Sequence, residues 1–124
     1  MSRLWQLYYS LAGRLSRREY WLFGVVPTLV VYGLLFRLAS HGTLGRGVIE
    51  GLVTLLLFWP GIAISVKRWH DINVSGWWVL VNFVPYVGGV IALIFNGFSR
   101  GTIGANRYGP DPIREFPLPT SKAL

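Results

Sequence analysis

The sequence predicts an all-α membrane fold, and three observations support this prediction. Three uncharged apolar runs make up about half of the 124 residues: Tyr20–Phe36, Gly51–Val66 and Ile72–Ser99. Hydrophobic residues account for 52% of the chain and charged residues for only 14%, which departs from ordinary globular composition. The basic residues flank the apolar runs, where they reach lipid headgroups. A soluble domain of this length could not bury runs that are apolar on every face.

The lengths of the runs predict how they cross the bilayer. At 1.5 Å per residue the first two runs form helices of about 26 and 24 Å, close to the hydrocarbon thickness of about 30 Å. The third run would reach about 42 Å, which exceeds what one crossing needs. We predict three transmembrane helices, with a re-entrant hairpin bent at Pro85 and Gly88-Gly89 as the alternative for the third. Residues 1–115 are predicted to form one membrane domain, and residues 116–124 a disordered tail.

A short amphipathic helix is predicted before the first run. Its apolar side chains follow the i, i+3, i+4, i+7 spacing of one helix face: Leu4, Leu7, Tyr8 and Leu11. A short helix of this kind would lie in the membrane interface. Ser16 is predicted to cap the next helix, because Glu19 stands three residues later in a capping-box arrangement.

The orientation in the membrane depends on the number of crossings. Three crossings put six basic residues on each side: Arg3, Arg14, Arg17, Arg18, Lys67 and Arg68 against Arg37, Arg46, Arg100, Arg107, Arg114 and Lys122. The hairpin alternative moves the last four to the first side, which makes the balance ten against two. The four arginines before the first run, against two in the loop that follows it, favour a cytoplasmic N-terminus.

Five of the basic residues are predicted to form one interfacial cluster: Arg14, Arg17, Arg18, Lys67 and Arg68. Each contributes about 1 kcal/mol to attraction by an anionic membrane surface. Anionic lipid headgroups are therefore the expected partners, together with a second copy or another membrane protein. The net charge of +7 would suggest nucleic acid for a soluble chain. Because the charges flank apolar runs, we expect no nucleic-acid binding.

Two polar segments carry the remaining candidate residues. In the loop after the second run, Asp71 is expected to pair with Arg68 and the N-terminal arginines, since an unpaired charge at the interface is costly. Asp71 or Ser75 is expected to cap the next helix, and His70 completes this polar motif. Residues 98–112 are rich in Gly and Pro and are predicted to form a compact turn, with three further polar residues: Asn106, Arg107 and Asp111. Of these, Arg107 and Asp111 are expected to pair.

The same residues limit the chemistry that the chain can perform. One His and one Asp fall short of a metal-ligand set, and His41 is expected on the opposite side of the membrane. We therefore predict no metal, no cofactor and no enzymatic activity. Two alternatives remain open: a subunit of an oligomeric transporter or channel, and a membrane enzyme that uses His70 and Asp71 as an acid–base pair.

Three ordered motifs carry a resemblance to a known family. They are Gly13-Arg14 with Arg17 and Tyr20-Trp21, then Arg68 with His70-Asp71 and Ser75-Gly76-Trp77-Trp78, then Gly101-Thr102 with Gly104 and Asn106 to Pro112. This pattern resembles the YhaH-like family of small bacterial inner-membrane proteins and covers residues 3–112. The resemblance implies an inner-membrane location and a multi-span helical fold. It implies no reaction, because the family is one of unknown function.

Overall fold

The computed structural model describes residues 2–40 and 45–113, and this part of the chain is helical. The helices are α1 (Arg3–Tyr9), α2 (Arg17–Ser40), α3 (Arg46–Asp71), a 3₁₀ helix (Gly76–Phe83) and α4 (Gly88–Phe98). The last residues, 99–113, form a C-terminal turn that holds one isolated bridge between Asn106 and Gly109. The predicted disordered tail and His41 lie outside the described residues.

Helices α2 and α3 confirm the first two predicted apolar helices. They contain 24 and 26 residues, and each has a window of mean hydropathy 1.9. Their lengths of about 36 and 39 Å are sufficient to cross a hydrocarbon core of about 30 Å. The two helices run antiparallel, since Gly24 lies against Ile64 and the hydroxyls of Tyr32 and Thr54 are 3.0 Å apart.

The third apolar run does not form the single long helix of the three-span prediction. It folds into a hairpin, residues 76–98, made of the 3₁₀ helix, a turn and α4. Both ends of the hairpin meet the C-terminal end of α3: Gly76 lies beside Val66 and His70, and the Ser99 carbonyl accepts a hydrogen bond from Arg68. The structure therefore has the hairpin of the alternative topology in place of one continuous helix.

Two residues near the tip explain why the run bends. Pro85 has no backbone N–H and cannot continue a helical ladder. At Gly88 the Val81 carbonyl occupies the space that a side chain would need. The ring of Phe83, just before the turn, lies 6.1 Å from that of Phe58 at a tilted angle of 52°. Phe58 precedes the end of α3 by about 20 Å. The hairpin thus reaches about halfway along α3.

Helix α1 packs along the second half of α3. The Lys67 ammonium donates to the carbonyls of Gln6 and Leu7, and the Trp59 indole donates to the Tyr9 carbonyl at 3.0 Å. These carbonyls at the C-terminal end of α1 have no partner within their own helix, so α3 supplies one. The predicted helix before the first run is confirmed over Arg3–Tyr9, where it is held against α3, but Leu11 lies beyond its end because Ser10 is extended.

The start of α2 is shaped by a capping box and a proline. Ser16 and Glu19 form both hydrogen bonds of the predicted capping box. Because Pro27 lacks an N–H, the Phe23 carbonyl loses its helical donor, and the Tyr8 hydroxyl donates to it at 3.2 Å. The helix widens to π geometry over Tyr20–Val25, next to this defect.

The interior is polar where the helices converge, whereas the outer surface is apolar. The largest fully buried side chains are those of Arg68, Asn96 and Asp71. By contrast, Leu55 and Leu56 on the outside of α3 are each 75% exposed. This distribution is the reverse of that in a water-soluble domain and fits a protein surrounded by lipid.

Candidate functional site

The centre of the site is the carboxylate of Asp71 at the end of α3. Its Oδ2 atom lies 2.6 Å from the Arg68 guanidinium, and its Oδ1 atom lies 3.0 Å from that of Arg14. All three side chains are at most 2% exposed. The predicted pairing of Asp71 is confirmed. One carboxylate is shared by two buried cations, which leaves the group with one net positive charge.

The Arg14 guanidinium also binds the C-terminal turn. It donates to the carbonyls of Thr102 and Gly104 at 2.6 Å and to that of Gly109 at 3.3 Å. A planar guanidinium with five N–H donors can serve several acceptors at once, which an ammonium cannot do in the same geometry. Arg14 therefore links the start of the chain to residues about ninety positions later.

The Arg68 guanidinium binds the end of the hairpin. It donates to the carbonyls of Asn96, at 2.5 Å, and Ser99. Two side chains of α2 also donate to carbonyls at the end of α4: Arg17 to that of Phe98 at 3.1 Å, and Trp21 to that of Gly97 at 2.8 Å. The last carbonyls of a helix lack internal partners and carry partial negative charge, so these donors cap α4. We refer to Arg14, Arg68, Asp71 and the carbonyls that they bind as the junction.

The C-terminal turn also caps α3, through hydrogen bonds that do not involve Arg14. The Asn106 amide donates to the His70 carbonyl at 2.8 Å, and the Thr102 N–H donates to the Asp71 carbonyl at 2.7 Å. The predicted compact turn is thus confirmed, and its Gly104 and Gly109 adopt the positive φ values of 79° and 140° that glycine permits.

Two of the predicted polar residues stabilise the outer part of this turn. The Asp111 carboxylate accepts from the N–H groups of Gly104 and Ile113, each at 3.0 Å. Arg107 donates to the side chain and the carbonyl of Asn73, at 3.4 and 3.3 Å. The Arg107 contacts hold the turn against the segment that follows α3, and the Asp111 contacts stabilise the turn itself. The predicted ion pair between Arg107 and Asp111 is wrong, because Arg107 is directed to Asn73.

His70 joins all three sequence motifs. Its ring stacks on that of Tyr108 with 3.9 Å between centroids and an angle of 4°. Its Nδ1 lies 3.0 Å from the Gly13 carbonyl, which is an acceptor only, so Nδ1 carries the hydrogen. The imidazole, which belongs to the second motif, thus contacts one residue of the first motif and one of the third.

The five basic residues predicted as one interfacial cluster fall into two groups. Arg14, Lys67 and Arg68 point inward, bound to internal partners, whereas Arg17 and Arg18 are exposed. Lipid binding by this cluster remains a prediction, and of its five members only Arg17 and Arg18 are exposed to a ligand. Ser75 caps the 3₁₀ helix, since its hydroxyl accepts from the Trp77 N–H.

Several residues of the site were missed by the sequence analysis. The junction depends on backbone carbonyls of the turn, on the fully buried Asn96 and on Tyr108. The glycine spacing of the turn signalled a structured loop, but no side-chain pattern indicated that its carbonyls face a buried arginine.

Gly101 approaches the junction so closely that a side chain there would overlap the Asp71 carboxylate. We expect Gly101→Ala to destabilise the protein by about 1–3 kcal/mol, the usual effect of overpacking. Gly89→Ala is the matched control, because a Cβ at Gly89 meets nothing within 4 Å. Thermal unfolding in detergent micelles measures both. Equal stability of the two variants would contradict this account of the contact.

Comparison with known proteins identifies the relatives of the chain. Residues 8–110 match the family described as "Protein of unknown function (DUF805)". The chain is 36% identical to "Inner membrane protein YhaH" of Escherichia coli (strain K12) over 111 residues, covering 87% of this chain and 91% of the relative. It is 36% identical over 107 residues to "Inner membrane protein YhaI" of the same strain, covering 85% and 87%.

A third relative, "Uncharacterized protein YiiR" of Escherichia coli (strain K12), is 30% identical over 130 residues, covering 86% of this chain and 88% of the relative. No solved structure matches the chain. Residues 8–110 contain the first two motifs and the third as far as Pro110. By the extent of the match and the identity to its relatives, the chain belongs to the DUF805 family of bacterial inner-membrane proteins.

Proposed function

We propose that this protein is a non-enzymatic inner-membrane protein whose cytoplasmic face binds anionic phospholipid headgroups. In the proposed topology α2 and α3 cross the membrane, the hairpin is re-entrant, and the N-terminus and the C-terminal turn are cytoplasmic. The observation that carries the proposal is the return of the hairpin to the Asp71 end of α3. This return brings exposed arginines from the start of the chain and from the segment after the hairpin to one face.

The charge distribution supports the proposed orientation. Among the described residues, the end that carries Asp71 holds Arg3, Arg14, Arg17, Arg18, Lys67, Arg68, Arg100 and Arg107, and the opposite end holds Arg37 and Arg46. Such an excess is typical of the cytoplasmic side. The exposed members, which face the headgroups in this proposal, are Arg3, Arg17, Arg18, Arg100 and Arg107.

The state of His70 and Asp71 supports a non-enzymatic role. A general acid or base must reach a substrate proton directly or through one water. The Asp71 carboxylate is occupied by two guanidiniums, and the His70 ring lies between Tyr108 and its Gly13 contact. These contacts favour a role for His70 and Asp71 in stabilising the fold rather than in proton transfer.

Lipid retention tests the headgroup proposal. Arg18→Gln combined with Arg100→Gln removes two exposed charges, worth about 1 kcal/mol each near an anionic surface. We expect the ratio of phosphatidylglycerol to phosphatidylcholine retained from mixed vesicles to fall by up to about 30-fold, measured by native mass spectrometry. Arg37→Gln with Arg46→Gln is the matched control at the opposite end. The proposal fails if both double variants behave like the parent.

A second measurement tests the topology. A reporter fused after Leu124 is expected to read as cytoplasmic, like one fused before Met1, whereas one inserted between α2 and α3 is expected to read as periplasmic. A periplasmic signal after Leu124 would overturn the re-entrant arrangement.

A further inference from the structure

An apolar cavity of about 500 Å³ lies between α1, α2 and α3. Two prolines and two glycines line it where α2 and α3 face each other: Gly24, Pro27, Pro60 and Gly61. Phe23, Leu57 and Ile64 add apolar walls, and Tyr8 and Tyr9 of α1 close one side. Its volume lies within the range of roughly 300–1,000 Å³ that small-molecule sites have.

The cavity has the depth of one leaflet. Its lining on α3 extends from Leu57 to Ser65, a rise of about 12 Å. One leaflet of a hydrocarbon core of about 30 Å is about 15 Å deep. The end at Ser65 lies nearer the junction, where the proposed topology places the headgroups, and the end at Leu57 lies towards the bilayer centre.

A second groove of about 890 Å³, with charged side chains among apolar ones, adjoins the cavity at the headgroup level of the proposed topology. Phe23 lines both spaces, so the two are neighbours across a single side chain. The groove is lined by three basic residues, Arg3, Arg14 and Lys67, against the two acids Glu19 and Asp111. The Arg3 side chain is 84% exposed and lies 3.8 Å from Glu19. An exposed guanidinium at this level complements a phosphate group.

We infer that the cavity is an acyl-chain site, which holds one chain of a membrane phospholipid whose phosphate lies at the groove beside Arg3. In a bilayer the medium that surrounds an apolar cleft between two spans is lipid chain, and the exposed Arg3 guanidinium in the adjoining groove favours a chain that carries a phosphate. The inference deepens the proposed function, on which its headgroup contact rests, by assigning a defined binding position.

Gly61 provides a sharp test of occupancy. It lines the cavity, and a Cβ built there meets nothing within 4 Å, so a large side chain fills the space without a backbone clash. Gly51 on the same helix is equally open but lies outside the cavity. Gly61→Phe and Gly51→Phe are therefore a matched pair that makes the same change at two depths of α3. Gly61→Leu serves as a smaller second variant.

The readout is photolabelling by phosphatidylglycerol that carries a diazirine on one acyl chain, mapped by peptide mass spectrometry in nanodiscs. We expect labels to concentrate at residues 57–65 and 20–31, several-fold above the exposed outer face around Leu55 and Leu56. Gly61→Phe and Gly61→Leu should remove this excess, whereas Gly51→Phe should keep it. Circular dichroism verifies that each variant retains its helix content.

The outcomes separate the two proposals. Labelling spread evenly over the apolar surface, or an excess that survives both Gly61 variants in folded protein, overturns the acyl-chain site. The same experiment with a phosphatidylcholine probe addresses the headgroup. If the local labelling excess is equal with both probes, the acyl-chain site stands but selectivity for anionic headgroups is contradicted. If phosphatidylglycerol is retained preferentially without a local labelling excess, the headgroup proposal stands and the acyl-chain site is contradicted.

Discussion

Replacement of Asp71 by Asn is expected to cost about 3–5 kcal/mol of folding free energy, the effect of breaking a buried ion pair by removing one partner. The neutral amide would leave the guanidiniums of Arg14 and Arg68 facing each other inside the protein, with at most 1% of either side chain exposed. Folded domains are stable by only about 5–15 kcal/mol. A loss of this size removes a large part of that stability, so we expect a lower temperature of thermal unfolding and lower protein abundance in membranes.

Glu50→Gln is the control for this change. It makes the same chemical replacement in the ion pair between Arg46 and Glu50, whose side chains are 61% and 50% exposed. Exposed i,i+4 pairs contribute only about 0.3–0.5 kcal/mol. Thermal unfolding in detergent micelles, with protein abundance in membranes, compares the two variants. A stable Asp71→Asn variant would contradict the role assigned to the shared carboxylate.

Arg14→Lys is expected to have the second largest effect, although it preserves the charge. The guanidinium binds Asp71 and the carbonyls of Thr102 and Gly104 with different nitrogen atoms. A lysine ammonium is a compact donor and cannot reach all of these acceptors from one position. Hydrogen bonds to charged groups contribute about 1.5–3 kcal/mol each, so we expect a loss of about 3 kcal/mol.

Detachment of the C-terminal turn distinguishes this effect from a general loss of stability. Hydrogen exchange at residues 101–112 should accelerate in Arg14→Lys more than exchange within α2. Arg18→Lys, at an exposed position four residues later, is the matched control and should leave both unchanged. If exchange in the turn is the same in both variants, Arg14 does not hold the turn.

Local features of the sequence were sufficient to predict much of this structure. The apolar runs predict α2 and α3, and the spacing of Ser16 and Glu19 predicts the capping box. The pairing of Asp71 with arginines follows from the cost of an isolated charge at the interface. Each of these predictions depends only on residues that are close in sequence, or on whether lipid or water surrounds the chain.

Other features depend on contacts that the sequence does not show. For the third run the prediction preferred one long helix over a hairpin bent at Pro85 and Gly88-Gly89, and the structure has the hairpin, with the Val81 carbonyl against Gly88. From its position beside an apolar run, Lys67 is predicted to place its ammonium group among the lipid headgroups. In the structure it is buried, because α1 presents its carbonyls to the ammonium group.

The distance along the chain between Arg14 and its last acceptor has a consequence for biosynthesis. The ribosome produces Gly109 some ninety residues after Arg14, so the junction cannot close until the C-terminal turn has been made. Until then a buried cation lacks several of its acceptors, at a cost in free energy. A polypeptide that stops before the turn is therefore expected to be less stable and more open to proteolysis, and synthesis of the turn is the step that allows the junction to close.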